Sequence, residues 1–218
     1  QNIEDLSTAD LDDDVVMQLR EYVTMISSLY RNNPFHSFEH AGHVIMSVHK
    51  LLSRIVPSDI DNNEYMHYHT FGITSDPLTQ FAVMFAALIH DVDHHGVPNV
   101  QLVKENATIA ALYKNRSVLE QNSVVMSWEL LMEDRFSALR NSIYTDEKEL
   151  KRFRELTVNC VMATDIFDEE LSELRKCRWN KAFSSQERTI TDINRKATIV
   201  IEHIIQASDV AHTMQHWH

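Results

Sequence analysis

Glycine, proline and cysteine are all scarce in this chain of 218 residues. Three Gly and four Pro leave little material for long irregular loops, so connections are short or helix-rich. The two cysteines, Cys160 and Cys177, show no CxxC spacing and favour a reducing, intracellular compartment. A signal peptide and an apolar run of the roughly 20 residues needed for a membrane span are also missing. The sequence therefore predicts a soluble segment without membrane contact.

Positive charge is the next deficit. The chain has 20 Lys and Arg against 32 Asp and Glu, a formal net charge of −12. Contacts to nucleic-acid phosphates require clustered Lys and Arg, so we expect no nucleic-acid partner. A small phosphate ligand remains compatible with this charge if metal ions supply local positive charge.

What the chain does contain is helix-forming material with helical periodicity. Its 44% hydrophobic content suffices for one substantial core, and we expect residues 1–218 to form a single domain. Short β-branched runs lie inside longer stretches of helical period, so the predicted fold class is all-α, a compact multi-helix domain. The polar segment 58–77 is predicted to be a loop. Helices are predicted near 11–30, 38–55, 78–89, 100–114, 117–139, 146–164 and 187–217.

Two features suggest that the sequence is part of something larger. Gln1 stands where an initiating Met would, and the last helical pattern runs towards Trp217 without a Gly or Pro stop signal. We therefore expect the domain to be incomplete at its C-terminal end.

The run FAALIHDVDHHG contains the most informative residues. His90 and Asp91 follow a helix that is apolar on most faces, and Asp93, His94 and His95 come directly after them. Gly96 is then expected to stop the helix. Metal-ligand side chains at the end of a buried helix predict a metal site.

A second group of histidines precedes this helix. His36 and His40 are four residues apart and would share one face of a helix, with His43 at the i+7 position. An i,i+4 pair is common by chance in a chain with 13 His, so on its own it is weak evidence for ligation. A surface or packing role is the competing interpretation.

Asp209 adds a distant carboxylate on the final predicted helix. Its i,i+4 spacing places it on the same side as the apolar Ile205, and Asp is rarely buried unless it is paired or coordinated. From spacing alone a surface Asp would be favoured. The combined pattern of a His, a His-Asp pair and a distant Asp on separate helices instead indicates one metal centre.

At this pattern the chain resembles the class I 3′,5′-cyclic-nucleotide phosphodiesterases, members of the HD metal-phosphohydrolase superfamily. FHSFEHAGHV (35–44) is similar to YHNxxHAxDV, and HDVDHHGVPN (90–99) matches HDxxHxGxxN. SVLEQN (117–122), VMATDI (161–166) and QASDVAH (206–212) follow in the family's order. The resemblance implies an HD-type all-α catalytic domain that hydrolyses cyclic AMP, cyclic GMP or both to nucleoside 5′-monophosphates.

Carried over by position, the resemblance implies two divalent metal ions. His40, His90, Asp91 and Asp209 would be the protein ligands of the first ion, which is zinc or a similar transition metal. Asp91 would also bridge to a second ion, magnesium or manganese, whose other ligands are water molecules.

The resemblance further implies roles around the metals. His36 would be the general acid that protonates the departing O3′. His94, Glu120 and Thr164 would hold metal-bound water through hydrogen bonds. The expected partner is a small cyclic nucleotide. The expected setting is the cytoplasm or the cytoplasmic part of a membrane protein, with a receptor or cyclase-linked protein as the larger context.

Several positions depart from the family pattern. Phe35 replaces Tyr, Ser37 replaces Asn, His43 replaces Asp, and Gln206 replaces the first His of the last motif. The predicted metal ligands are all retained. The family's purine-reading Gln and its clamping aromatic residue would lie beyond Asp209, on helices not present here, so the sequence does not distinguish cyclic AMP from cyclic GMP.

Two other function classes stay open at this point. The first is another HD-superfamily enzyme, such as a nucleotidase or di-iron oxygenase, which the SVLE and ATD matches disfavour. The second is a non-catalytic regulatory domain that keeps the metal site, which the retention of His36 disfavours. His95 and His212 are ambiguous. The histidines expected to be surface or packing residues are His49, His67, His69, His203, His216 and His218.

Overall fold

The computed structural model of the protein describes residues 11–55, 70–184 and 190–211. These residues form helices and turns, with no strand among them, which confirms the all-α prediction. Two short 3₁₀ helices, Ile73–Ser75 and Asp134–Phe136, join the longer elements. The α-helices are α1 Asp13–Leu29, α2 Phe38–Ile55, α3 Pro77–Ile89, α4 Asn99–Lys104, α5 Thr108–Leu112, α6 Val118–Leu131, α7 Ser137–Ile143, α8 Glu147–Ala163, α9 Glu169–Ser184 and α10 Ile190–Asp209.

Helix α3 is the central element. Asp76 caps its first turn by accepting a hydrogen bond from the Thr79 amide, and Pro77 occupies the first helical position, where its missing N–H costs nothing. Its apolar residues are buried against α2 on one side and α8 on the other. A helix that is apolar on most faces requires such enclosure, as the sequence predicted.

The end of α3 differs from the prediction. The helix ends at Ile89, with His90 as its C-cap, and the chain reverses at Asp93, which adopts a left-handed conformation with φ 59°. Gly96 was expected to stop the helix, but it lies in the following turn. The reversal is held by the Asp93 amide, which donates to the Leu29 carbonyl at the end of α1.

Two long predicted helices are each divided. The stretch 100–114 breaks into α4 and α5 because Asn106 adopts a left-handed conformation with φ 52°. The stretch 117–139 breaks into α6 and α7, where Glu133 is extended and Arg140 donates to its carbonyl and to that of Leu131. Polar side chains and single backbone reversals do not disturb the apolar periodicity, so the pattern alone did not reveal these breaks.

The core extends through α1, α2, α3, α6, α8 and α10. Tyr22 is buried at its centre, stacked on Phe85, and its hydroxyl donates to the Ser127 carbonyl. Burial of each large side chain contributes roughly 1.5–3 kcal/mol. Helix α10 packs on both α2 and α8, which brings its C-terminal end beside the end of α3. The single-domain boundary 1–218 stays a prediction.

Candidate metal centre and active-site cavity

Three separate segments bring the four predicted metal ligands together. His40 lies in the first turn of α2, His90 and Asp91 follow α3, and Asp209 is the last residue of α10. Ser37 caps α2 because its hydroxyl accepts a hydrogen bond from the His40 amide at 3.2 Å. Ser is as suitable at an N-cap as the Asn of the family pattern.

The donor atoms of these residues are spaced as the ligands of one ion. His40 Nε2 lies 2.9 Å from Asp209 Oδ1 and 3.9 Å from Asp91 Oδ2. His90 Nε2 lies 3.4 Å from Asp91 Oδ2 and 3.5 Å from Asp209 Oδ1. Metal–ligand bonds of about 2.0–2.2 Å place tetrahedral ligands roughly 3.3–3.6 Å apart and neighbouring octahedral ligands roughly 2.8–3.1 Å apart. Three of the four distances fall within these ranges, and the fourth, 3.9 Å between His40 Nε2 and Asp91 Oδ2, is slightly longer.

His90 provides the clearest test of whether the residues fit a cation. Its Nδ1 lies 3.0 Å from the Ala87 carbonyl, so Nδ1 carries the proton and Nε2 of the neutral ring presents a lone pair. Nε2 is buried and makes no hydrogen bond to any residue that the structure describes. Burial disfavours a charged ring, yet the charges of Asp91 and Asp209 outweigh it and raise the pKa of His90 to about 9. The site thus attracts positive charge.

The two carboxylates of the site are held in their charged form. Burial raises the pKa of a carboxyl, but hydrogen bonds and charges from His40 and His90 hold the pKa of Asp209 well below its ordinary value. The pKa of Asp91 is lowered in the same way by His90 and His36, against the effect of burial. Two imidazole nitrogens and two carboxylate oxygens form a donor set that suits zinc or a similar transition metal.

His36 and His94 form the adjoining wall. His36 Nδ1 lies 2.9 Å from Asp91 Oδ2, and its ring stacks on that of His94 with centroids 3.5 Å apart. His94 Nδ1 accepts the Gly96 amide proton at 3.0 Å, so the neutral ring carries its proton on Nε2. Burial and the neighbouring histidines, opposed by Asp91, lower the pKa of His94 to about 4. His94 is therefore a neutral donor.

A cavity of about 890 Å³ opens beside the metal ligands. Its lining contains His36, Asp91 and Asp209, together with the predicted water-holding residues and several apolar side chains. The volume is in the usual range for a small-molecule site. The predicted water-holding residues in its wall are His94, Glu120 and Thr164, and the apolar lining residues include Phe35, Val100, Ile166, Phe167 and Val210.

Two residues in this wall, Asn99 and Asp165, were given no role from the sequence. Asn99 donates from Nδ2 to Glu120 Oε2 at 2.8 Å and to Asp165 Oδ2 at 3.3 Å. Its Oδ1 accepts the Leu119 amide at 3.0 Å, which fixes the orientation of the amide group. Burial and the nearby Asp165 raise the pKa of Glu120 to about 7. Both residues lie inside the matched motifs, so closer attention to their polar character would have found them.

The other histidines lie outside this cluster. His95 contacts Arg31 through Nε2 at 2.8 Å. His203 bonds the Ile199 carbonyl and packs on Trp179, in agreement with the expected packing role. His49 is exposed, as predicted, and His43 is half-buried. His67, His69, His212, His216 and His218 lie outside the described residues.

Chemically, the arrangement combines a donor set that fits a cation, a histidine that contacts the Asp91 carboxylate and a cavity large enough for a nucleotide. Such a set is suited to metal-assisted hydrolysis of a phosphate ester. Across the described residues, no helix has both the length and the apolar character needed to cross a membrane.

Comparison with known proteins finds relatives that are all named as cyclic-nucleotide phosphodiesterases. The chain is 32% identical over 145 residues to a probable 3′,5′-cyclic-AMP phosphodiesterase of Caenorhabditis elegans, covering 66% of this chain and 19% of that protein. It is 29% identical over 145 residues to a cGMP-specific 3′,5′-cGMP phosphodiesterase of Dictyostelium discoideum, covering 66% of this chain and 28% of that protein. The chain thus spans less than a third of each of these relatives.

A solved structure shares the fold. The phosphodiesterase domain of a RhoPDE fusion protein from the choanoflagellate Salpingoeca rosetta superposes with a TM-score of 0.70 at 24% identity, covering 92% of this chain and 56% of that one. The family model of the 3′5′-cyclic nucleotide phosphodiesterases matches residues 35–218, which contain every predicted site residue. The chain therefore belongs to the 3′,5′-cyclic nucleotide phosphodiesterase family.

Proposed function

We propose that this chain hydrolyses 3′,5′-cyclic nucleotides to nucleoside 5′-monophosphates in cyclic-nucleotide signalling. The observation that carries the proposal is the convergence of four residues, in which Nε2 of both His40 and His90 lies 2.9–3.9 Å from an oxygen of both Asp91 and Asp209. Family membership supplies the reaction class. The adjoining cavity of about 890 Å³ has room for a nucleotide.

In this proposal the four convergent residues hold one divalent transition metal, most suitably zinc, and Asp91 also reaches a second ion such as magnesium or manganese. Two such cations would lower the pKa of a water molecule and neutralise phosphoryl charge. In the same proposal His94 holds water through its Nε2 proton, and Glu120 and Thr164 hold water by accepting or donating hydrogen bonds. Each of these groups lines the same cavity.

The leaving group determines the role of His36. Attack of water on phosphorus breaks the bond to O3′, and this oxygen needs a proton as it departs. His36 is half-buried and lines the cavity, and its Nδ1 is held at 2.9 Å from Asp91 Oδ2, so its other nitrogen can face a substrate. We assign it the general-acid role. His36 transfers one proton to O3′, and the attacking water replaces that proton overall.

The nucleotide base stays unassigned. One named relative is described as a cyclic-AMP enzyme and another as cGMP-specific, so the likeness supports a cyclic nucleotide without choosing between the two. The solved neighbour is a domain of a fusion protein. By analogy, we propose that this domain works in the cytoplasm, either alone or as the cytoplasmic part of a receptor or cyclase-linked membrane protein.

The proposal is tested by measuring metal binding and catalytic turnover separately in the same variants. On the longest natural polypeptide that carries this sequence, metal content is measured by mass spectrometry and cyclic-nucleotide hydrolysis by phosphorus NMR. We expect His36→Ala to keep both metals and to lose about 10²–10⁴-fold in turnover, because only the acid is removed. His90→Ala and Asp91→Ala should lose metal as well as turnover.

The exposed His49→Ala is the matched control for loss of a histidine and should behave as wild type. Hydrolysis by His36→Ala at the unmodified rate would refute the acid assignment. A metal-loaded protein that binds cyclic nucleotide without turnover would instead support a regulatory domain. Phosphate release from nucleoside monophosphates, or oxygen-dependent turnover of an iron-loaded sample, would support a different HD-superfamily enzyme.

A further inference from the structure

Asn33 lies three residues before His36, in the loop that precedes α2. Its Oδ1 accepts hydrogen bonds from the Phe35 amide at 3.1 Å and the His36 amide at 3.2 Å. One side-chain oxygen therefore holds the two consecutive backbone amides of Phe35 and His36. Two N–H donors on this side fix the amide orientation, because they require the oxygen and turn the NH₂ group away.

The NH₂ group of Asn33 faces a second loop, the turn that follows His94. Gly96 has φ +78°, and a Cβ built on it would lie 2.5 Å from Asn33 Nδ2 and 3.4 Å from Asn33 Cγ. A side chain at this position would therefore displace the Asn33 amide group. The two loops approach this closely because residue 96 is glycine, which also adopts the left-handed conformation without cost.

The same two loops also meet through their histidines. The Gly96 amide donates to His94 Nδ1 at 3.0 Å, and the His94 ring stacks on the His36 ring at 3.5 Å. The contacts thus form a closed ring from Asn33 to His36, to His94, to Gly96 and back to Asn33. Each loop holds the other at two points, which restricts where the His36 ring can lie.

The contacts of Asn33 are separate from helix capping. Ser37 supplies the N-cap of α2, since its hydroxyl accepts the His40 amide. Asn33 is half-buried, and both of the hydrogen bonds given above and its approach to Gly96 lie within the two loops. Replacement of Asn33 should therefore leave α2 and the metal ligand His40 in place while releasing His36.

From this geometry we propose that Asn33 is a positioning residue, which holds the His36 loop against the His94–Gly96 turn so that the His36 imidazole reaches the leaving oxygen. The inference rests on the proposed function, in which His36 is the general acid. It adds a residue that makes no contact with substrate and acts through the placement of His36.

The test compares substrates that do and do not need an acid. Cyclic AMP and cyclic GMP leave an alkoxide that requires a proton, whereas bis(4-nitrophenyl) phosphate leaves a stable phenolate. We expect Asn33→Ala to reduce kcat for the cyclic nucleotides by about 10–100-fold, as for a small misplacement of a catalytic group. Its metal content and its rate with bis(4-nitrophenyl) phosphate should stay at wild-type values, and His36→Ala should show the same selectivity.

Two further variants sharpen the comparison. Asn33→Asp keeps the oxygen that accepts both amides and should restore most of the activity lost in Asn33→Ala. The exposed neighbour Asn32→Ala is the control and should match wild type. A parallel loss with both substrates, or a loss of metal in Asn33→Ala, would overturn the inference, because Asn33 would then support the whole site.

A readout without turnover keeps the inference separate from the proposed function. The His36 ring resonance in the NMR spectrum, assigned by its disappearance in His36→Ala, reports stacking on His94. We expect it to shift in Asn33→Ala and to stay in place in Asn32→Ala. An unchanged resonance in Asn33→Ala overturns the inference even if hydrolysis is confirmed. A shifted resonance in a protein that hydrolyses no cyclic nucleotide supports the positioning contact and refutes the proposed function.

Discussion

Glu120 shows how one buried residue makes the cavity sensitive to pH. Burial and the charge of Asp165 raise its pKa to about 7, although Asn99 donates a hydrogen bond to it. A raised pKa means that the folded chain binds a proton which the unfolded chain has already released above its ordinary pKa of about 4.3. The stabilising contribution is therefore present below pH 4 and is lost as the pH rises through 7.

Glu120→Gln removes this dependence because the amide stays neutral. In protein freed of metal by chelation, we expect the variant to be more stable than wild type at pH 8 by about 1–3 kcal/mol, with a smaller difference at pH 5. Urea unfolding at the two pH values measures both differences. The exposed Glu155→Gln is the matched control for loss of one negative charge. A difference that does not change with pH would contradict this account.

At the scale of elements, helix α3 depends on its first turn and on a contact to α8. The Asp76 carboxylate accepts hydrogen bonds from the Thr79 amide at 3.2 Å and from its hydroxyl at 2.6 Å, and it pairs with Arg152 of α8. Burial raises the pKa of Asp76, but Arg152 and Thr79 outweigh burial and lower it. The pair is partly exposed, so its contribution is below about 1 kcal/mol.

Two substitutions separate the cap from the ion pair. Asp76→Ala removes both and should lower the free energy of unfolding by about 1–2 kcal/mol, whereas Asp76→Asn keeps a good N-cap and should cost less. Because the folded pKa is lowered, the Asp76→Asn difference should be present at pH 7 and disappear as the pH falls below about 4. Urea unfolding at pH 7 and pH 3 checks both statements. An Asp76→Asn effect as large at pH 3 as at pH 7 would exclude the ion pair as its cause.

The helices themselves were predictable where an apolar stripe exists. Helices α1, α2, α3 and α8 bury clear apolar positions, and each was predicted to within about two residues of its observed bounds. Helix α9, Glu169–Ser184, was missed entirely. Ala182 is the buried residue of α9. Charged and apolar side chains are distributed around the helix, so its sequence shows no periodic apolar pattern.

At the scale of the whole molecule, the metal centre joins helices that are far apart in the sequence. His40 and Asp209 are 169 residues apart, and the same cluster includes the end of α3. Without a bound metal, the carboxylates of Asp91 and Asp209 are balanced in this buried site by a proton on His90, whose pKa they raise to about 9. A metal bound at the proposed site would therefore stabilise the packing of α2, α3 and α10 against one another.

Removal of metal should accordingly lower stability. A ligand at 100 times its dissociation constant stabilises the folded state by about 2.7 kcal/mol. We expect chelation of the metal-loaded protein to lower the thermal midpoint by several degrees and zinc to restore it, as followed by circular dichroism. His90→Ala should show almost no response to chelation. An equal response in wild type and His90→Ala would place the stabilising metal elsewhere.

By itself, the sequence determined the all-α class, the family and the identities of the candidate ligands, because helical periodicity and short motifs are local properties of the chain. The tertiary structure decided which of these groups meet and how. The contact of His40 with Asp209, the bonds from Asn99 to Glu120 and Asp165, and the approach of Asn33 to Gly96 all join residues from different segments. Contacts of this kind depend on how helices pack around a shared core, and no local pattern specifies them.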